Sequence, residues 1–366
     1  MYNTDINIEA VVLAAGKSSR FNTEQSKLVT KICGQEMVLY ITKLLNKLNI
    51  PTTLIVGYQK EKIQEIILKN HALDIKFVEQ VQQLGTGHAI KTVLPYLLKD
   101  HVLVLNGDIP SIDQNIIDRL ITIHLENNAS LSFVGAYNFD PNIKGYGTIF
   151  KDENSIKIVE AKELKNQHET NEVPLLNAGI YLFEKNFLID SIAKLEKSSI
   201  TGEIYITDLV KIANDLNKKI ELIVAPFDKI RGVNTLQELW MVEQIIKAEI
   251  IRSCMDQGVR FASGQNVTID IDVSIGAGSI VGNGVELLAG TKIGKNCTIN
   301  AYSIIKNSIL EDQVTIKSHS IIENSKIITN SLVGPFVHVS SNFKTIDIEN
   351  YSINMTTQNF STDLLK

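Results

Sequence analysis

The sequence predicts an α/β chain in two parts, and three observations carry that reading. Short β-rich runs alternate with longer helical patterns from Ile8 to about Ile230. From Ile269 onward, aliphatic residues recur every six positions instead. Between the two lies Thr235 to Arg252, a stretch of helical periodicity with few breakers that reads as a bridging helix. A length of 366 residues also suits about two domains.

In the first part, Ala10 to Leu13 reads as a buried strand followed by a glycine-containing loop. Met37 to Leu48 has apolar residues at helical spacing, Thr53 to Val56 is a second strand, and Lys60 to Lys69 a second helix. Val102 to Leu105 is a third strand and Asn115 to Glu126 a further helix. Strands alternating with helices of this length imply crossover connections and a mainly parallel sheet covered on both faces. Ligands of such sheets sit beyond the carboxyl ends of the strands. The loops after the first and third strands are therefore the places to search.

In the second part the six-step runs through Ile269, Ile275, Val281, Leu287, Ile293, Ile299 and Ile305. After a one-residue contraction it returns at Leu310, Ile316, Ile322 and Ile328, and a second contraction leads to Val333 and Val339. Gly276, Gly278, Gly282, Gly284, Gly290, Gly294 and Asn296 fill the gaps. This is the hexapeptide signature of a parallel β-helix, in which like side chains stack from coil to coil. A flat, glycine-rich antiparallel region is the alternative, and a fixed period over so many positions argues against it.

Composition bounds what such a chain can do. Apolar residues make up 44% and charged residues 21%, ordinary values for a globular protein and unlike those of a disordered chain. A net charge of −5 supplies no global positive field for nucleic acid or anionic lipid. The three cysteines, Cys33, Cys254 and Cys297, form neither a disulfide framework nor a zinc spacing, so a cytoplasmic location is expected. Met1 to Glu9 lacks the plan of a signal peptide, and no apolar run approaches the ~20 residues that span a bilayer.

Three motifs carry chemistry. Leu13-Ala14-Ala15-Gly16-Lys17-Ser18-Ser19-Arg20, with Lys27 beyond it, places bare amides, a guanidinium and ammonium groups in one loop after a strand, which makes an anion cradle. It is neither a Walker loop nor the three-glycine dinucleotide fingerprint. Gln80 precedes Leu84-Gly85-Thr86-Gly87-His88-Ala89, a glycine-rich turn opening a helix. The Gln80 amide and Thr86 hydroxyl can pair with a base edge, and Gly85 allows close approach. Thr86 as a plain helix cap is the alternative, and His88 reads as a packed helix residue rather than a base. Asn106-Gly107-Asp108 ends a buried strand, where a lone carboxylate is placed to hold Mg²⁺ or to cap the next turn.

With Gly145-Tyr146-Gly147, Glu160, Asn177-Ala178-Gly179-Ile180, Thr201 to Asp208 and Gly232-Val233-Asn234, the ordered set resembles the nucleotide-sugar pyrophosphorylases. It is most similar to the bifunctional N-acetylglucosamine-1-phosphate uridyltransferase/glucosamine-1-phosphate acetyltransferase family. The resemblance implies a Rossmann-like nucleotidyltransferase domain with a mainly parallel mixed sheet over residues 1–234. A linker helix over 235–257 and a short left-handed parallel β-helix over 258–366 would follow. It implies that Leu13, Ala14, Ala15 and Gly16 line the nucleotide, with Arg20 and Lys27 on the triphosphate as catalytic cations. Gln80, Gly85 and Thr86 would read uracil, and Asp108 with Asn234 would hold Mg²⁺. Gly147, Glu160 and Asn177 would bind the amino sugar. Asn106 and Gly107 fall in the same substrate set, Asn106 standing where the family often has tyrosine. Ser26 stands where the family usually has proline, which suggests a looser loop before Lys27.

The implied reaction joins UTP and N-acetylglucosamine 1-phosphate to give UDP-N-acetylglucosamine and pyrophosphate for cell-envelope precursor synthesis, in a homotrimer. After Gly334-Pro335-Phe336 the family continues with sugar-phosphate-binding arginines, whereas Val337-His338-Val339-Ser340-Ser341 has none. The chain stops at Lys366, before the family's catalytic histidine and acetyl-coenzyme A contacts, so acetyltransferase activity is expected to be absent. A pyrophosphorylase for another sugar 1-phosphate or nucleotide is the nearest rival. A non-catalytic nucleotide-sugar-binding regulator is the rival from another class, and joint retention of Arg20, Lys27, Asp108 and Asn234 argues against it.

Overall fold

The computed structural model describes residues 7–17, 21, 25–70, 75–140, 143–152, 155–164, 173–340 and 345–346. The chain divides into two compact units, Met1–Ile32 with Glu36–Val242, and Cys33–Gln35 with Glu243–Lys366. Among the described residues no helix is long and apolar enough to cross a membrane.

The first unit alternates strands and helices: β1 (Ile8–Ala14), α1 (Met37–Lys47), β2 (Thr52–Val56), α2 (Lys60–Asn70), β3 (Lys76–Glu79), α3 (Thr86–Val93), β4 (His101–Asn106) and α4 (Gln114–Glu126). Then follow β5 (Leu131–Tyr137), β6 (Thr148–Lys151), β7 (Ile156–Val159), β8 (Leu175–Glu184), α5 (Lys185–Ile192), α6 (Asp208–Asp215), β9 (Ile220–Val224) and α7 (Phe227–Ile230). The strand order is β9-β5-β8-β4-β1-β2-β3, with β6 paired to β8 and β7. The β1–β2, β1–β4, β2–β3 and β9–β5 pairs are parallel, while β8 runs antiparallel to both β4 and β5. The sheet is therefore mixed. Central strands such as Val102 to Leu105 are wholly buried, which is why they read as unbroken apolar runs instead of alternating ones.

The chain moves from β1 to β2 and β3 on one side, then returns to β4 on the other. That reversal opens a crevice beyond the carboxyl ends of β1 and β4. Leu13 and Asn106 are paired there, and the Gly107 amide donates to the Leu13 carbonyl at 3.0 Å. The two loops singled out in the sequence are thus neighbours. One strand between them, β3, carries no apolar run in the sequence: at the sheet edge Phe77 and Val78 are half-buried, while Lys76 and Glu79 are exposed.

Besides Cys33–Gln35, the second unit starts within helix α8 (Leu236–Asp256) and continues, among the described residues, as short parallel strands in three five-stranded sheets, the arrangement of the left-handed hexapeptide β-helix. Early coils take 18 residues, so Ile275 pairs with Ile293 and Val281 with Ile299. Later coils take 17, so Leu310 pairs with Ile327 and Ile316 with Val333. The inward ladder is buried from Ile269 to Val339.

One rung differs from expectation. Ile327 faces the core at 0% exposure, whereas Ile328, named by the six-step, is only half-buried. The contraction comes one rung earlier because the corner at Asn324 (φ 46°) follows the corner at His319 (φ 58°) after five residues. The first contraction has the same form, with Asn307 (φ 44°) five after Tyr302 (φ 59°). In both, a buried serine follows the asparagine, and the Ser325 amide donates to the Ser308 Oγ at 3.1 Å. The Asn-Ser pair marks the short corner. Two adjacent isoleucines hid it.

Candidate active site

The loop after β1 and the loop after β4 frame a cavity of about 540 Å³. Leu13, Ala14, Ala15, Gly16 and Lys27 line it together with Gln80, Gly85, Thr86, Asn106 and Asp108. A second cavity of about 440 Å³ is lined by Gly147, Glu160, Asn177, Tyr181, Tyr205 and Thr207. The two share Thr86, Asn106, Asp108, Lys162, Glu203 and Asn234. Gly107 lies at the end of β4, where an added Cβ would come 3.1 Å from the Leu13 carbonyl oxygen. Arg20 lies outside the described residues.

At the shared wall, the Lys27 ammonium donates to Asp108 Oδ2 and, at 2.9 Å, to Asn234 Oδ1. Residues 81 and 207 positions away thus converge on one cation. Asp108 does not cap the following helix: that task falls to Asp113, whose Oδ1 accepts from the Ile116 amide at 3.2 Å. Lys27 and Asp108 side chains are 14% and 18% exposed, so the pair is only weakly screened by water.

The expected looseness before Lys27 is not what the structure shows. Ser26 is fully buried with φ −59°, an angle proline would also take. Its amide donates to Gln59 Oε1 at 2.8 Å, a bond that proline could not make. Its Oγ accepts from the Leu28 amide at 3.4 Å, capping the short helical turn that carries Lys27. Serine holds the loop by hydrogen bonds in place of a ring.

The glycine-rich turn is built against the segment before α6. Gly85 has φ 102°, and an added Cβ would lie 2.5 Å from the Ile204 carbonyl oxygen, so only glycine fits without a shift. The Thr86 Oγ1 accepts from the Ile206 amide at 3.0 Å, so it ties the turn to a distant segment and does not cap its own helix. Its hydroxyl proton stays available to a ligand.

In the second cavity, Asn177 Nδ2 donates to the Tyr181 hydroxyl at 2.7 Å, and its Oδ1 accepts from the Gly179 amide at 3.2 Å. The Asn177 amide donates to the Gly147 carbonyl at 2.8 Å. Gly179 (φ 69°) is pressed on Asn106, whose Nδ2 would be 2.1 Å from an added Cβ. The Thr207 hydroxyl donates to Glu160 Oε1 at 2.8 Å. Burial raises the Glu160 carboxyl above its ordinary range, while the Thr207 bond pulls it back. The Tyr146 hydroxyl accepts from the Gly232 amide at 2.8 Å, fixing the chain just before Asn234.

Reading the sequence missed Lys162, whose Nζ meets Glu203 Oε1 at 2.6 Å where the cavities join. It missed Tyr205 and Thr207 as individual residues, although both fall in the Thr201 to Asp208 run. Lys162 had a faint signal, standing two residues after Glu160. Nothing local marks its partner 41 residues on.

Comparison with known proteins agrees with this geometry. The MobA-like NTP transferase domain matches residues 10–141, which run from within β1 through β5 and include the cradle. The bifunctional protein GlmU of Clostridioides difficile is 33% identical over 339 residues, covering 91% of this chain and 72% of that protein. That of Clostridium botulinum strain Eklund 17B is 34% identical over 335 residues, covering 90% and 72%. That of Listeria welshimeri is 33% identical over 336 residues with the same coverage. With the cradle, the paired cavities and an alignment running from the sheet into the β-helix, the chain belongs to the GlmU family and is a nucleotidyltransferase.

Proposed function

We propose that the protein transfers the uridylyl group of UTP to N-acetylglucosamine 1-phosphate, releasing pyrophosphate. The observation that carries this reading is the meeting of two cavities across Asp108 and Asn234. One cavity has the amide-rich loop and cations that suit a nucleoside triphosphate. The other offers Glu160, Asn177, Tyr205 and Thr207, a hydrogen-bonding set that suits a sugar.

Leu13 to Gly16 would lie along the nucleotide, with Lys27 on its phosphates. Gly147, Glu160 and Asn177 would orient the sugar so that its phosphate oxygen faces the α-phosphorus in line with the leaving pyrophosphate. That oxygen is already anionic, so the site needs no general base, and catalysis rests on positioning and on cations facing the developing charge.

The residues present fit a divalent cation. Asp108 and Asn234 turn their oxygens to one ammonium, which stands where such a cation would bind. Among the described residues no cluster of three or more His, Cys, Asp or Glu side chains exists. Mg²⁺ suits so sparse a set, because it usually keeps waters and substrate phosphates as its other ligands. When bound, Mg²⁺ would neutralise phosphate charge and orient the triphosphate.

The expected result is Mg²⁺-dependent pyrophosphate release from UTP and N-acetylglucosamine 1-phosphate, followed by a coupled phosphate assay. A panel of nucleoside triphosphates and sugar 1-phosphates, assayed with folded protein, would overturn the reading if no pair turned over or if another pair were clearly preferred.

The β-helix supports a homotrimer, since flat-sided coils pack side by side. Sedimentation equilibrium at micromolar concentration is expected to give three times the 40.7 kDa chain mass. A monomer there would remove the trimer.

A further inference from the structure

The turn beside the first cavity holds Gln80, expected from the sequence to read the base, and against it a second side chain, His88, that the proposed reaction leaves without a role. Gln80 follows β3, is 4% exposed and lines that cavity. Its Nε2 donates to the Gly85 carbonyl at 3.0 Å and lies 3.0 Å from His88 Nδ1 on the first turn of α3. A carbonyl oxygen can only accept, so Gly85 decides which end of the amide faces the turn, and it is the nitrogen. The His88 Nδ1 must then accept the second amide proton. The ring is therefore the neutral tautomer with its proton on Nε2.

Both protons of the Gln80 amide are thus engaged inside the protein. The oxygen Oε1 has no protein donor among the described residues, and it is not among the fully buried unpaired atoms. It is the one group that Gln80 has to offer a ligand, and it can only accept. A uracil ring presents N3–H, a donor, whereas a cytosine ring presents a bare N3, an acceptor. An oxygen held toward cytosine N3 would leave two acceptors facing each other without a proton.

We propose that His88 is a positioning residue for base choice: it locks the Gln80 amide with its oxygen outward, so the site accepts uracil and rejects cytosine. The proposal rests on the uridylyl-transfer reading but concerns a residue that never touches the base. Without His88, the amide keeps one tether of two, and its oxygen is less strictly presented. Sites built around a specific hydrogen bond discriminate strongly only while that geometry is held.

The test compares wild type with His88→Ala and His88→Asn, the asparagine Oδ1 standing close to the position of the imidazole Nδ1 acceptor. UTP and CTP are titrated by calorimetry in the presence of Mg²⁺, and both are assayed for pyrophosphate release. In His88→Ala, KM and Kd for UTP are expected to rise about tenfold with kcat little changed, and the preference for UTP over CTP to shrink by a similar factor. His88→Asn is expected to restore both. An unchanged preference in His88→Ala, or a wild-type protein that binds the two nucleotides alike, would overturn the proposal. Selective UTP binding without turnover would instead sink the functional reading, with the binding ratio still deciding the role of His88. Should His88→Ala not fold, nitrogen NMR of the wild-type ring decides: a proton on Nε2 supports the proposal, and one on Nδ1 overturns it.

Discussion

Asp108→Asn is expected to lower the rate of pyrophosphate release by on the order of 10²-fold or more, and Lys27→Ala by a similar factor, the scale for losing one preorganised charge-stabilising group. Asparagine keeps the shape of the Asp108 side chain and its contact with the Lys27 ammonium but removes the charge that a divalent cation would need. Alanine at 27 removes the cation on which the Asp108 and Asn234 oxygens converge. Neither residue belongs to the apolar core, so thermal unfolding should shift by only a few degrees. The two variants should differ in kind. Loss of the proposed metal ligand at Asp108 should be partly rescued by raising the Mg²⁺ concentration, whereas loss of Lys27 should not respond. Near-normal turnover in either variant would remove that residue from the site.

The convergence behind this expectation shows how far a sequence can be read. The Asp108 and Asn234 motifs were visible because each ends or precedes a regular element with an uncommon residue. Their meeting on Lys27 depends on a sheet whose order reverses between β1 and β4, which no local pattern specifies. The β-helix was legible for the opposite reason. Each of its coils contacts only its neighbours, so the pattern of one dimension is the fold. It failed only at Ile327, where two isoleucines were in competition and the corner, not hydrophobicity, decided between them. Positive-φ corners also outlast the glycines that announce them: Tyr302, Gln313, His319 and Phe336 take up the position first held by Gly278, Gly284 and Gly290. The edge strand β3 and the antiparallel β8 were unread because pairing partners, not composition, define them.

A different consequence comes from the core of the first unit, at the opposite end of β4 from the candidate site. His124 on α4 is 0% exposed, with Nδ1 at 2.7 Å from the Ser132 hydroxyl and Nε2 at 3.2 Å from His101 Nδ1. This chain of groups can be satisfied by a neutral ring in either tautomer. Burial, and then the neighbouring His101, push His124 down from an ordinary value of 6.5 to about 4, and burial lowers His101 as well. Above pH 6.5 the ring is neutral in both folded and unfolded chains, so its contribution to stability is fully present. Between 6.5 and about 4 the unfolded chain binds a proton that the folded protein refuses, so stability falls as pH falls through that window. Below about 4 both states are protonated, and the loss levels off. Its size should be roughly 2 to 3 kcal/mol, since each tenfold drop in proton affinity on folding costs about 1.4 kcal/mol and local rearrangement relieves some of the total. Urea titrations of wild type and His124→Gln from pH 7.5 to 4.5 would read it directly. Glutamine keeps a donor and an acceptor without titrating, so it should be the less stable protein at pH 7.5 and lose less on acidification. Parallel curves for the two proteins would show that His124 is not the acid-labile group of this core.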